Sequence, residues 1–552
     1  MALLTLVLLF WGGTASLSVA SAPKEFSNWR AWKAEIDRSL KDLRRTSQIT
    51  VQQALLRHVE SLVRADVKPR KRYLRELETL LEKTPPGTLF NTIINTLLER
   101  PSQSTVKILF RALSATRVVD YLDRELPEEQ LESRARTIEV RLRDLGDRAY
   151  RRRLGGVAPK LSRRAKALLR DALSSDRERE VRSAAYLLGG WGIKEAAPVL
   201  REAFATSEES WTRAILVENL GRTDVSGAEA EIFAAALGSG PSERLAAIPL
   251  LGRVKTAEAQ KMIETFLNDK KWFVRRAALL ACRHRRDVTG MDFLLARFPK
   301  EIPRLRQDIY ASLSDITGGV LPPDPAEWEK WWSYARKDFK AANVGVAAKN
   351  GKTELVLDGL QYFGVEIHSD SLALLFDVSG SMGRSNVQFT SQDKKKGGES
   401  NAFHAASEEI RSVLKRYTQG ARFNLIAFGD EVIPFQRKVV KRTRGSVNKA
   451  DRFLKKLKPG GETNTYGALE LALADPNVDT IVLLSDGHPT RGRRVEPSDI
   501  LEAVARINRF RGTVIHTVQI GEKQPFMRQL SQGNGGRYRE ISLAGAAAEP
   551  RP

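Results

Sequence analysis

The sequence of 552 residues contains one cysteine, Cys282, so the chain can form neither an internal disulfide nor a cluster of thiolate metal ligands. Its six histidines are scattered and show none of the spacings that bind zinc. The sequence contains no glycine loop of the kind that cradles a phosphate and no nucleophile elbow. We therefore predict that the protein is not an enzyme.

Long apolar runs are also missing, because no segment after residue 22 reaches the roughly eighteen apolar residues that a membrane-spanning helix needs. Residues 1–22 differ, since Leu3 to Trp11 are mostly apolar and small residues then lead to Ala20 and Ala22. This pattern is typical of a secretory signal peptide. We expect a secreted or periplasmic protein, or a cytoplasmic one if the signal is false.

Positive charge is in excess, because 90 lysine and arginine residues stand against 67 aspartate and glutamate residues and give a formal net charge of +23. Such a field attracts anionic partners but does not choose among nucleic acid, acidic polysaccharide, anionic lipid and acidic protein. A polyanion is therefore a possible partner.

The first part of the chain is predicted to be helical, since apolar residues recur at spacings of three and four over residues 23–150. An internal repeat follows, in which five arginines are spaced by 31 residues. These are Arg182, Arg213, Arg244, Arg275 and Arg306. We expect each arginine to bond neighbouring turns, which is a structural role.

Two columns of mostly apolar residues accompany the repeated arginines and should form the core between stacked helix pairs. The first column, four residues after each arginine, is Tyr186, Val217, Ile248, Leu279 and Tyr310. The second is Gly189, Leu220, Leu251, Cys282 and Leu313, so we interpret the lone cysteine as a packing residue. With its Val-Arg pair and its Gly190, Gly221 and Gly252 column, the unit resembles a short HEAT-like repeat.

A proline-rich segment ends the repeats, and the helix after it carries Trp328, Trp331 and Trp332 on one face. We interpret these tryptophans as a cap on the last repeat, with a partner-binding aromatic patch as the alternative.

The last third of the chain alternates short apolar strands with amphipathic helices, which predicts a mostly parallel sheet covered on both faces. The functional crevice of such a sheet lies beyond the carboxyl ends of its strands. "DVSGSM" follows the first strand with Asp377, Ser379 and Ser381, and "SDG" follows a later one with Asp486. The loop "GGETNTYGAL" between them offers Thr463, with Thr465 as its alternative.

These residues form an oxygen-only set of two carboxylates and three hydroxyls, which suits a hard cation, above all Mg²⁺, with Mn²⁺ or Ca²⁺ possible. The three-part pattern resembles a von Willebrand factor A domain. The resemblance implies that Ser379 and Ser381 bind the metal directly, that Asp377 and Asp486 act mainly through water, and that Thr463 does either. It also implies that an acidic residue of a partner completes the site. Lys394, Lys395 and Lys396 lie in a lengthened loop that should be at its rim.

The sequence thus predicts a multidomain protein, an all-α HEAT-like solenoid followed by a doubly wound α/β domain. The predicted parts are a signal peptide at 1–22, a helical region at 23–150, repeats and their cap at 151–340, a linker with a lead-in strand at 341–370, the A-like domain at 371–545 and a tail at 546–552. The first hypothesis is an extracytoplasmic scaffold that binds acidic protein ligands through a divalent cation. The alternative is a chain that resembles the Ro autoantigen and binds RNA through basic surface, which the signal and the lack of interleaved aromatic residues disfavour.

Overall fold

The structure is a computed structural model that describes residues 34, 37–38, 41, 70–82, 84, 88–99, 103–115, 126–154, 163–175, 177–319, 321–342, 360–389, 398–521 and 524–542. The predicted signal peptide, the lysines at 394–396 and the C-terminal tail lie outside these residues. The chain divides into two compact units, Met1–Leu131 and Glu132–Pro552. In the described part of the chain, no helix combines the length and the apolar character that crossing a bilayer requires.

The first unit is helical, as the apolar periodicity predicts. Its helices are α1 (Arg70–Glu82), α2 (Thr88–Glu99), α3 (Gln103–Ser114) and the start of α4 (Glu128–Leu154). The apolar faces of the first three helices pack together, with Phe90, Ile93 and Leu109 fully buried. Arg111 of α3 donates a hydrogen bond to Glu78 of α1 at 2.7 Å.

The second unit begins with the rest of α4 and α5 (Arg163–Leu173) and continues as a series of helix pairs. The first helices of the pairs are α6 (Glu178–Trp191), α8 (Ser210–Thr223), α10 (Pro241–Ala247, extended by a 3-10 segment Ile248–Arg253), α12 (Trp272–Arg285) and α14 (Pro303–Thr317). The second helices are α7 (Ala197–Thr206), α9 (Glu229–Leu237), α11 (Ala257–Leu267), α13 (Val288–Arg297) and α15 (Pro325–Ala335), with 3-10 turns at Lys194–Ala196, Phe298–Lys300 and Arg336–Asp338. Each first helix packs on the next one. The helical character is confirmed, and the HEAT-like assignment stays a prediction.

The two predicted core columns are buried throughout. Cys282 is fully buried, and this burial raises the pKa of its thiol well above the usual range, as expected of a packing residue. Successive first helices approach so closely that a Cβ on Gly252 would lie 1.9 Å from the carbonyl oxygen of Ala281. Glycine is required there because only a residue without a side chain allows the contact.

Four of the five repeated arginines link neighbouring helix pairs through acidic side chains, whereas Arg306 donates to the carbonyl of Pro299. Arg213 bonds Glu243 through both Nε and Nη2 at 3.0 Å, and Arg275 bonds Glu301 at 3.0 Å. Arg182 bonds Glu139 of α4 at 2.6 Å and Glu209 of the next pair at 2.7 Å. The arginine ladder therefore neutralises most of its own charge, and its positive residues belong to the fold.

The tryptophan-bearing helix α15 closes the last pair. Trp328 is fully buried, contacts the ring of Tyr310 edge-on at a centroid distance of 6.3 Å and donates its indole N–H to the Pro322 carbonyl at 2.9 Å. Trp332 is also buried and donates to Asp292 of α13 at 2.8 Å. These contacts support the interpretation of the tryptophans as a cap.

The C-terminal region contains a seven-stranded sheet with helices on both faces. Its strands are β3 (Ser371–Asp377), β6 (Arg422–Phe428), β7 (Val432–Pro434), β8 (Val440–Lys441), β9 (Thr480–Ser485), β10 (Val514–Ile520) and β11 (Tyr538–Ile541), and two hairpins are formed by β1 (Leu360–Tyr362) with β2 (Val365–Ile367) and by β4 (Asn386–Phe389) with β5 (Gly398–Asn401). The helices are α16 (Gly380–Arg384), α17 (Ala402–Arg416), α18 (Arg444–Lys456), α19 (Thr465–Ala474), α20 (Pro497–Asn508) and α21 (Pro525–Gly533).

The sheet order is β11-β10-β9-β3-β6-β7, with β8 also paired to β6. The five strands from β11 to β6 are parallel, and β7 and β8 are antiparallel to β6. Helices α17 and α18 cover one face, whereas α19, α20 and α21 cover the other. Every residue of β3, β9 and β10 is buried, as expected of parallel strands between two helical layers.

The helix pairs contact the α/β region along α20 and the loops that enter β9 and β10. The central contact is Arg509, which bonds Glu218 of α8 at 2.9 Å and Asp147 of α4 at 3.4 Å. Trp272 of α12 donates to the carbonyl of Pro476 at 3.1 Å, and the ring of Trp211 lies 5.4 Å from that of Phe510. We call these contacts the seam. Because its loops precede β9 and β10, the seam is at the amino edge of the sheet.

A buried histidine beside the seam makes stability depend on pH. His516 of β10 accepts a hydrogen bond from the Arg537 backbone N–H at 3.0 Å, and burial, followed by the charges of Arg537, Arg304 and His368, lowers its pKa to about 3. The unfolded chain therefore binds a proton below pH 6.5 that the native histidine does not. This stability is present above pH 6.5 and is lost as the pH falls towards 3.

When the pH falls from 7 to 5, the free energy of unfolding of His516→Asn should decrease by about 2 kcal/mol less than that of wild type, as measured by urea denaturation. Other titrating groups cancel in this difference. His404→Asn, at an exposed histidine of α17, is the control and should behave as wild type. Equal losses in wild type and His516→Asn would contradict the prediction.

Candidate metal centre

The predicted site residues meet at the carboxyl edge of the sheet because β3 and β9 are parallel neighbours. Phe376 pairs with Leu484, so Asp377 at the end of β3 lies beside the end of β9, where Asp486 follows. Ser379 directly precedes the short helix α16 at its N-cap position, and Ser381 lies in the first turn of that helix. The topology therefore brings two loops distant in sequence to one point, as the alternating pattern predicts.

Asp377 is fully buried and tightly held. Its Oδ1 accepts the backbone N–H of Ser379 at 2.7 Å, and its Oδ2 accepts the hydroxyl of Ser485 at 2.6 Å. Burial raises its pKa to about 6, and the negative charge of Asp486 contributes to the rise. A cation here would therefore find a carboxylate, that of Asp377, whose ionisation is opposed by burial and by a second carboxylate nearby.

The two serines and Asp486 form a continuous chain of hydrogen bonds. The hydroxyl oxygens of Ser379 and Ser381 lie 3.0 Å apart, and Ser381 donates to Asp486 Oδ1 at 2.7 Å. The hydroxyl of Ser385 donates to the other oxygen of Asp486 at 3.1 Å. Four of the five predicted residues are thus linked by three successive hydrogen bonds.

Thr463 lies in the loop before α19 and is buried beside the Asp486 loop. Its backbone N–H donates to the Thr490 hydroxyl at 2.9 Å, and its Oγ1 lies 4.0 Å from the position that a Cβ on Gly487 would occupy. Thr465 is the first residue of α19, and its buried hydroxyl has no hydrogen-bond partner among the described residues. Both threonines are therefore still candidates, and Thr463 is the one placed next to Gly487.

Three residues of the site were not predicted from the sequence. Ser485 and Ser385 bond the two carboxylates, and Thr490 fixes the loop of Thr463. Ser485 could have been found, because it is the last residue of a buried strand and a polar side chain there needs a partner. Ser385 gives no such signal, since it lies at the start of the lengthened loop.

The loop positions are fixed by backbone contacts as well. Gly380 donates to the carbonyl of Gly461 at 3.1 Å, and Gly460 donates to that of Val378 at 2.8 Å. The loop carrying Thr463 is therefore attached to the loop carrying the serines, and the lengthened segment after α16 forms the β4–β5 hairpin.

Residues 396–540 match the family model of the von Willebrand factor type A domain. The sheet topology extends the same region back through β3, which the matched residues do not include. The C-terminal region is a von Willebrand factor type A domain. We refer to it below as the A domain.

Among curated proteins, the chain is similar to von Willebrand factor A domain-containing protein 3B of Homo sapiens, at 22% identity over 38% of this chain and 14% of that protein. It is also similar to inter alpha-trypsin inhibitor, heavy chain 4, of Mus musculus, at 27% identity over 31% of this chain and 18% of that protein. The chain thus spans less than a fifth of the length of these relatives. Among solved structures, a von Willebrand factor type A protein from Catenulispora acidiphila matches at 18% identity and a TM-score of 0.26, over 32% of this chain and 40% of that one.

The donor set of the A domain fits a hard cation, because carboxylate and hydroxyl oxygens are the only side-chain groups in it. No group of three or more histidine, cysteine, aspartate or glutamate side chains in the described ranges could hold a metal ion. The set found here has two carboxylates, and its other donors are uncharged hydroxyls. These groups would neutralise little of the positive charge of a bound ion.

Proposed function

We propose that the A domain is a cation-dependent binding module that holds Mg²⁺, or Mn²⁺ or Ca²⁺ in its place, and binds protein ligands through an exposed acidic residue. The observation that carries the proposal is the chain of hydrogen bonds from Asp377 through Ser379 and Ser381 to Asp486. Such a chain holds the oxygen atoms of two loops within reach of a single ion.

The five residues have different parts in this proposal. Ser379 and Ser381 hold the ion through their hydroxyls, and Thr463 completes the set from the third loop. Asp377 and Asp486 orient these groups through hydrogen bonds and supply negative charge. The ion would offer an electrophilic position to a carboxylate of the partner, since few anionic groups neutralise it.

We further propose that the helix pairs act as a scaffold that presents the A domain outside the cytoplasm. The seam supports a scaffold role because it attaches the amino edge of the sheet and α20, whereas the proposed metal residues are at the carboxyl edge. One of the relatives is named for its von Willebrand factor A domain, in agreement with a role in protein interaction. The extracytoplasmic location rests on the predicted signal peptide alone.

The metal site is tested by titrating Mg²⁺ and Mn²⁺ into the protein by calorimetry. Wild type should bind one ion, and Asp377→Ala should lose at least about tenfold in affinity, because metal ligands and the groups that hydrogen-bond them each contribute this much. Ser381→Ala should behave in the same way.

Asp479→Asn is the matched control. Asp479 is also fully buried, burial also raises its pKa to about 6, and it bonds Ser369 at 2.6 Å, but it lies at the amino edge of the same sheet. This variant should keep metal affinity. Unchanged ion binding in Asp377→Ala, or equal losses in both variants, would refute the assigned site.

A further inference from the structure

The segment from Arg437 to Lys458 carries an uncompensated positive charge, with ten basic residues and one acidic residue. Within it, α18 buries Ala450 and Leu454 against the sheet and exposes Arg444, Lys449, Arg452, Lys455 and Lys456. These five residues lie on one side of the helix at helical spacing. We call this side the basic face.

The basic face differs from the arginine ladder because four of its five residues have no acidic partner among the described residues. Asp451, the acid of the segment, pairs with Lys455 at 2.7 Å and Arg411 at 2.7 Å. Among the described residues, no carboxylate forms an ion pair with Arg444, Lys449, Arg452 or Lys456. The charge is therefore available to a ligand.

Helix stability does not explain the basic face. Basic residues in the last turn of a helix interact favourably with its dipole, which accounts for Lys455 and Lys456. Arg444 in the first turn interacts unfavourably with the same dipole, and Arg452 and Lys456 are like charges four residues apart. The helix thus carries charge at a cost to its own stability.

The basic face runs to the proposed metal site. β8 pairs with the start of β6, since Lys441 pairs with Arg422, so α18 begins near the amino edge of the sheet. It ends at Lys456, three residues before Pro459. A Cβ on Gly383 of α16 would lie 3.0 Å from the ring of Pro459, so this end of α18 adjoins the helix that carries Ser381.

The exposed apolar side chains help to choose among anionic partners. The large hydrophobic residues exposed in the described ranges are Leu237, Tyr334, Ile433, Val495 and Ile507, and none is in α18. The basic face therefore offers no ring on which a base could stack and no apolar anchor for a lipid bilayer. A ligand that presents only carboxylates fits both the face and the metal edge.

We propose that the basic face of α18 and the metal edge form one continuous surface for an acidic protein segment. One carboxylate of the segment fills the open position of the ion, and the acidic residues next to it lie along the basic face. This inference rests on the proposed function. The helix is about 20 Å long, so an extended segment of about six residues would cover it.

The probe is a fluorescein-labelled peptide of about eight glutamates, measured by fluorescence anisotropy in excess Mg²⁺. Lys449→Gln, Arg452→Gln and Lys456→Gln combined should weaken binding about tenfold, as three partly screened ion pairs would. Calorimetry should give the same Mg²⁺ affinity as wild type. The melting temperature should not fall, because the substitutions remove repulsion between like charges.

The matched control replaces three exposed lysines of the helix pairs, Lys261→Gln, Lys330→Gln and Lys337→Gln, which removes the same charge elsewhere. Its peptide affinity should change less than twofold. Equal weakening in both triple variants would reduce the effect to net charge and overturn the inference.

Two further results separate this inference from the proposed function. If Asp377→Ala loses the peptide but the α18 variant binds it as wild type does, the metal site stands and the basic face falls. If removing Mg²⁺ with EDTA does not change peptide binding, and only the α18 variant weakens that binding, the shared surface is refuted. A duplex DNA or heparin probe that binds more tightly than the peptide, without Mg²⁺, would assign the face to a polyanion instead.

Discussion

Arg509→Met is expected to lower the free energy of unfolding of the second unit by about 3 to 5 kcal/mol, because it leaves two buried carboxylates with one arginine between them. Arg222 alone would then bond both Glu218 and Asp147. The Arg509 side chain is 15% exposed, and those of Glu218 and Asp147 are 18% and 19% exposed. Although burial disfavours each charge, Arg509 and Arg222 lower the pKa of Asp147, and Glu218 and Asp147 raise that of Arg509. The network is therefore ionised and mutually dependent.

The loss can be followed by urea denaturation with tryptophan fluorescence. Trp211 and Trp272 both lie in the seam, so their emission reports on its separation. We expect the fluorescence change of these two tryptophans to occur at a lower urea concentration in Arg509→Met than in wild type. If the A domain detaches before it unfolds, the transition will divide into two, and the first of them will carry the loss.

A matched exposed arginine shows whether burial is the cause. Arg528 bonds Glu540 at 2.9 Å within the A domain, but its side chain is 55% exposed. Arg528→Met should cost less than about 1 kcal/mol, as surface ion pairs do. Glu218→Gln added to Arg509→Met should recover part of the loss, since it leaves Arg222 with one carboxylate, that of Asp147, instead of two. Similar costs for both arginines would show that the seam does not depend on Arg509.

The sequence predicted the parts of the protein whose pattern is local. A 31-residue period located the repeated arginines and both core columns, because equivalent residues of stacked helices meet the same neighbours. Likewise, Asp377 and Asp486 each follow a buried strand directly. The edge at which they meet follows from the parallel topology alone.

The seam could not be predicted, because its partners are far apart in sequence and each looks like an ordinary surface residue. Arg509 lies one residue beyond an amphipathic helix, and Glu218 lies in the middle of another. Nothing in either local pattern indicates that they share a buried ion pair. For the same reason, nothing in the local sequence indicates that Ser385 bonds Asp486.

The net charge of +23 also does not show by itself where the excess charge lies in the fold. The sequence showed no single tail that carries the excess, and only the contacts separate charge used inside the fold from charge left at the surface. In the arginine ladder, Arg213 and Arg275 are matched by Glu243 and Glu301. On the basic face of α18, four of the five basic residues have no acidic partner in the described part of the chain. Polyanion affinity inferred from net charge would therefore have pointed to the repeats as much as to the A domain.

Trp328→Ala is expected to lower the free energy of unfolding by about 3 to 5 kcal/mol, the usual cost of removing a large aromatic side chain from a core. Trp328 is the largest of the fully buried side chains, and it covers Tyr310 of α14 at the end of the helix pairs. Its loss leaves the end of the array open to water. Denaturation monitored by circular dichroism at 222 nm measures the change, and hydrogen exchange should rise first in α14.

Tyr334→Ala in the same helix is the control, because Tyr334 is 79% exposed and its removal should change stability by less than about 0.5 kcal/mol. The pair also decides between a cap and a partner-binding patch. If the tryptophans form a cap, the protein loses stability when the buried ring of Trp328 is removed but not when the exposed ring of Tyr334 is removed, since a cap excludes water from the last pair. A binding patch would instead tolerate Trp328→Ala without loss of stability, and that result would return the tryptophans to the list of candidate contact residues.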